Sequence, residues 1–103
     1  MRSKHAFEES VRRAIDSLPA PIAEKLENVA IVVEDEDPED PDLFGVCREE
    51  PYMPVTIAIY RIPLEDEFPD REELEQEIRI TVLHELGHYF GMDERELDDL
   101  GYA

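Results

Sequence analysis

The sequence predicts an α+β fold, and three observations carry that expectation. Apolar residues recur at helical spacing near the start of the chain and again, over a longer run, near its end. Between them lie two β-branched apolar runs, at 29–35 and 55–62, with the length and composition of strands. Prolines and clusters of acids punctuate the joins, where regular structure should stop. With 103 residues, 42% of them hydrophobic, one domain spanning 1–103 is expected, large enough for one modest core.

Each element has its own local reason. Phe7, Val11, Ala14, Ile15 and Leu18 share a helical face, so a first amphipathic helix is expected over about residues 4–17, ended by "LPAP". Pro21 can open a short second helix through Ile22 and Leu26, finishing near Asn28. "VAIVVED" then reads as a buried strand. "DEDPEDPD" is a loop, without the glycine and closing glutamate of an EF-hand calcium loop. "LFGV" is expected to be a short extended piece, and the prolines of "REEPYMP" forbid regular structure after it. "VTIAIYRI" is a second strand, with Val55, Ile57 and Ile59 on one face and Thr56, Ala58 and Tyr60 on the other. Pro63 should close it, leaving "PLEDEFP" as a polar connection.

The longest helix announces its start. Asp70 is a good N-cap with Glu73 at capping-box spacing, and Glu72, Glu73 and Glu75 suit the positive end of the helix dipole. From Ile78 the sequence "IRITVLHELGHYF" is apolar around most of its circumference, which marks a helix enclosed by other elements. Gly91 is its natural stop. Asp93 then caps a short last helix ending at Gly101.

Charge excludes several functions. The formal net charge of −18 repels phosphate backbones and anionic lipid heads, so neither nucleic acid nor a membrane surface is an expected partner. No stretch approaches the roughly 20 apolar residues of a membrane span. The basic N-terminus lacks the apolar run of a secretory signal, and the single cysteine, Cys47, can form neither an internal disulfide nor a cysteine-based zinc site. A soluble cytoplasmic protein is the expectation. Cys47 reads as a small buried hydrophobe and His5 as a solvated terminal residue.

The chemistry concentrates in "VLHELGHYFGM". His84-Glu85-Leu86-Gly87-His88 is an H-E-x-x-H sequence. Residues four apart lie on one helix face a turn apart, so both imidazoles can converge on a single ion. Zn²⁺ takes nitrogen ligands and four-coordination, half filled by two such rings. Glu85, rotated by roughly 100°, can stand beside the metal without ligating it, where a general base belongs. Two core histidines hydrogen-bonded to neighbours would be the plain alternative, but each would need its own buried partners. A catalytic site needs a third protein ligand, and the acids Asp93, Glu94, Glu96, Asp98 and Asp99 follow the glycine. Glu94 fits the reach back beneath the ion best, with Asp93 the competitor, its side chain also suited to an N-cap.

The run "HELGHYFG" followed by an acid resembles the zincin metallopeptidases, and its H-E-x-x-H-x-x-G form resembles their metzincin branch. By that resemblance the third ligand stands three residues after the glycine, at Glu94, where metzincins generally have histidine and a few relatives aspartate. With "FEESVRRAIDSLP", "LENVAIVVEDE" and "DREELEQEIRITVLHELGHYFG", nearly the whole chain resembles a family of very small bacterial zincin-like proteins. The resemblance implies a minimal zincin fold, a small sheet packed on helices with a central active-site helix. It also implies zinc, a peptide or protein substrate lying antiparallel to an edge strand, and "VTIAIYRI" as that edge. Two departures stand out. Glutamate replaces the usual third ligand, and the chain has no methionine-bearing turn beneath the metal, Met92 lying too close to Gly91.

The function expected is therefore zinc-dependent hydrolysis of peptide or amide bonds, with His84, His88 and Glu94 as ligands and Glu85 as general base. Tyr60, Tyr89 and Tyr102 are candidates for steadying an oxyanion, with packing the plainer role for each. The alternative is an inactive zincin-like metal-binding or protein-interaction module. A purely structural zinc site fits less well, because such sites favour cysteine and four protein ligands.

Overall fold

The computed structural model describes residues 3–90 and Arg95. Among the described residues, four α-helices and a three-stranded mixed sheet form an α+β fold. Helix α1 (Lys4–Asp16) starts where the Ser3 side chain accepts the Ala6 N–H at 3.1 Å. It buries Phe7, Val11 and Ala14 along one stripe, as the sequence spacing requires. Helix α2 (Ala20–Lys25) runs into a single 3₁₀ turn at Leu26–Asn28, with Ile22 and Leu26 turned into the core. Strands β1 (Val29–Glu34), β2 (Gly45–Arg48) and β3 (Val55–Tyr60) follow, then helices α3 (Arg61–Glu67) and α4 (Arg71–Tyr89).

The sheet order is β1-β3-β2, with β1 parallel and β2 antiparallel to β3. This corrects one expectation. "VTIAIYRI" is not an edge strand but the central one, hydrogen-bonded on both sides. Its composition carried the signal: Ile57, Ala58, Ile59 and Tyr60 are all fully buried, and burial on both faces is the mark of an interior strand. The edge beside α4 is instead β2, which begins two residues later than "LFGV" and continues to Arg48.

The two faces of the sheet are covered differently. Ile57 and Ile59 face the helices and join Phe7, Leu64, Leu74, Ile78, Val82 and Leu83 in one apolar cluster. On the other face, the register places Ala58 between Val32 and Val46. Beside them Arg48 holds Glu34 through two hydrogen bonds of 2.8 and 2.9 Å and donates to the Tyr60 hydroxyl at 3.2 Å. The Tyr60 hydroxyl donates to Asp37 at 3.2 Å, tying the acidic loop down onto the sheet. Asp37 also accepts the N–H groups of Glu39 and Asp40, so this loop is shaped by its own carboxylates.

A second correction concerns "PLEDEFP". The chain does not run on as a loop; residues 61–67 form α3. Pro63 sits in the first turn, where its missing N–H is one the helix leaves unbonded, so it ends no structure. Ile62 N–H donates to the Asp35 carbonyl at 2.9 Å, and Arg61 pairs with both Asp35 and Glu65 at 3.1 Å, fixing α3 to the end of β1.

Helix α4 is capped as expected, Asp70 accepting the Glu73 N–H at 3.0 Å. Leu74, Ile78, Val82, Leu83 and Leu86 are buried along its length. Arg13 of α1 forms an ion pair with Glu75 and Arg79 donates to Ser17 at 3.0 Å, so the packing of these helices has polar clasps at its margin. The last helix expected from Asp93 lies outside the described residues. No helix among the described residues is long and apolar enough to cross a membrane.

Candidate metal centre

The H-E-x-x-H sequence lies in the final two turns of α4. His84 is half-buried and His88 exposed, so the rings are not the enclosed core histidines their apolar neighbourhood suggested. They line the open side of a helix whose other sides are packed. Their ring centres stand 5.0 Å apart at an interplanar angle of 75°. Zinc–nitrogen bonds of about 2.0–2.1 Å put a ring centre roughly 3.2 Å from the ion, and two rings at a tetrahedral angle then stand about 5 Å apart. The observed spacing is compatible with a shared ion and is also that of an ordinary edge-to-face ring pair.

Glu85 is half-buried between this face and the edge strand. Burial raises its carboxyl above the ordinary value, opposed by the nearby His88 and His84 and by a hydrogen bond from the Cys47 backbone N–H. The strand geometry explains that last contact. Tyr60 N–H donates to the Phe44 carbonyl at 2.9 Å, so residues 44, 46 and 48 bond to β3 and the N–H groups of 45 and 47 point away from it. Cys47 itself is partly exposed rather than a fully buried hydrophobe, and burial, Glu49 and Glu85 all push its thiol up.

Gly45 sets how close β2 comes to α4. A Cβ there would lie 2.7 Å from the Thr81 Cγ2 and 2.9 Å from the Ala58 carbonyl oxygen, so any other residue would have to displace the Thr81 methyl of α4 and the backbone of β3. In front of this junction opens a cavity of about 300 Å³, walled by Thr81, His84 and Glu85 of α4 and by Asp40, Asp42, Leu43, Phe44 and Gly45.

The family of zincin-like metallopeptidases matches residues 26–102, three quarters of the chain, with the paired histidines and Glu85 inside the match. The chain belongs to that family. No curated protein matches it. Among solved structures it is similar to a conserved hypothetical protein from Thermo thermophilus. The two share 22% identity over 86% of this chain and 94% of that one, with a TM-score of 0.59, a likeness of fold.

Of the three side chains the sequence suggested as ligands, the described residues include two. His84 and His88 come together, whereas Glu94 and Asp93 lie outside the described residues, and among the described residues no three metal-binding side chains cluster. Tyr60 is removed from the chemistry, because its hydroxyl is held on the far face of the sheet between Asp37 and Arg48. Tyr89 is exposed at the end of α4 against Phe90, and Tyr102 lies outside the described residues. His5 is exposed on α1, as expected. Sequence reasoning missed Gly45, the Cys47 N–H and the acids of the loop, since chain path rather than local pattern brings them to the cleft.

Proposed function

We propose that the chain is a zinc-dependent peptidase in which His84, His88 and Glu94 hold the metal and Glu85 is the general base. The observation that carries this reading is the pairing of the two imidazoles on one face of α4, ring centres 5.0 Å apart, with His84 and Glu85 lining a cleft. Family membership supports it at the level of metallopeptidase-type chemistry. A zinc ion bound there would polarise the substrate carbonyl and acidify a water molecule.

The remaining roles fall to the chain. Glu85 accepts a proton from the attacking water on its carboxylate and delivers it to the departing nitrogen, so it acts first as base and then as acid. The Cys47 N–H orients that carboxylate, and the apolar packing behind α4 keeps its helix turn fixed while it works. Strand β2, the edge beside α4, offers an extended peptide the outward backbone groups that Glu85 leaves unused, the Gly45 N–H among them, replacing β3 in the role first expected of it.

The test joins metal analysis to turnover. The purified chain should bind one zinc, and Glu85→Gln should keep it while lowering peptide hydrolysis by about 100-fold or more. His84→Ala and His88→Ala should lose both metal and activity. Glu94→Gln should weaken zinc binding more than Asp93→Asn. A chain that binds zinc yet hydrolyses no peptide in any form is the inactive module instead.

A further inference from the structure

The cleft has a chemical character that the metal chemistry does not require. Two of its walls are apolar: Leu43 and Phe44, half-buried, and the methyl of Thr81. Asp40 and Asp42 line it together with Glu85, and among the described residues no lysine or arginine does. The arginines nearest in the fold are engaged elsewhere, Arg48 with Glu34 and Arg61 with Asp35 and Glu65. The loop is also organised to keep the two aspartates together, since Asp40 accepts the Asp42 N–H at 3.2 Å.

We infer that this cleft selects peptides bearing a lysine or arginine side chain, which Asp40 and Asp42 recognise; the inference rests on the peptidase reading above. Lysine and arginine lay a methylene stem along apolar surface and hold a charged head in water. A cleft with a Leu43–Phe44 wall and an acidic rim is the complement of that shape. At about 300 Å³ it accommodates individual side chains, not a folded partner. A glutamate in the same place would meet like charge from the rim, so the cleft discriminates by repulsion as well as attraction.

Binding to the full-length Glu85→Gln chain, loaded with zinc, separates selection from turnover. Three fluorescent peptides identical except for one Lys, Gln or Glu serve as probes, with anisotropy as the readout. The lysine peptide should bind about fivefold more tightly than the glutamate peptide, the scale of one or two partly exposed ion pairs. Asp40→Asn with Asp42→Asn should abolish the difference. Glu72→Gln with Glu73→Gln removes the same two charges from the first turn of α4, away from the cleft, and should preserve it. Equal loss in both double variants would overturn the inference, because the preference would then belong to the net charge of −18 rather than to the cleft. Indifference of the Glu85→Gln chain to the three peptides would overturn it as well. The peptidase reading fails separately: the unmodified, zinc-loaded chain would bind with the lysine preference yet cleave none of the three.

Discussion

The two faces of the sheet solve the same burial problem with opposite chemistry. Ile59 and Tyr60 are neighbours on β3 and both are fully buried. Ile59 meets only apolar side chains, whereas the ring of Tyr60 lies beneath a chain of polar contacts running through Arg48, Glu34 and Asp37. On the helix face charge is confined to the margin, where Arg13 pairs with Glu75, and the candidate chemistry of α4 lies in its final two turns. The outer face is a structural clasp whose strength depends on ionisation. A buried tyrosine is therefore not evidence of a site, and here its partners show it is not one.

The largest effect should come from the apolar side. Ile59→Ala removes a core side chain and should cost about 2–5 kcal/mol in denaturant unfolding, with little dependence on salt. Tyr60→Phe should cost less, about 1 kcal/mol, because water can replace the hydroxyl beside the partly exposed Arg48 and Glu34. A Tyr60→Phe loss as large as that of Ile59→Ala would erase the contrast between the faces. The smallest effect should be the pH response of the clasp. The Arg48 hydrogen bonds hold the Glu34 carboxyl below its ordinary value of 4.5, against the cost of burial. A depressed carboxyl contributes stability that is complete above its unfolded value and lost as pH falls through the lower folded one. Unfolding measured from pH 6 downward should therefore show a loss beginning near 4.5, under ~1 kcal/mol from this exposed pair. Glu34→Gln should flatten that part of the profile, and high salt should do so partially.

Much of this architecture is legible without coordinates. The caps at Ser3 and Asp70 mark helix starts by a short-range rule, although only Asp70, with its partner glutamate, stands out in the sequence. The four-residue spacing of His84 and His88 fixes their common face once the helix is known. What escapes depends on pairing across the chain. Pro63 looks like a terminator because local rules do not say whether a proline falls before a helix or within its first turn. The central place of β3 follows from the return of β2 beside it, and four residues such as "GVCR" carry too little pattern to announce that return. The acids at the cleft are legible as a loop and illegible as a rim, since only the folded path of residues 36–44 brings Asp40 and Asp42 to Glu85. Asp93 and Glu94, the sequence's two candidates for a third ligand, lie outside the described residues.

Gly45 carries a consequence for how such a small protein can diversify. Because Gly45 carries no side chain, β2 lies directly against the Thr81 methyl of α4 and the backbone of β3, and the junction beside His84 has no room for a larger residue. Asp40, Asp42 and Leu43 line the cleft from the loop, outside both the strand and the helix. A scaffold of this size can thus vary the lining of its cleft while the strand and helix that frame it keep their places.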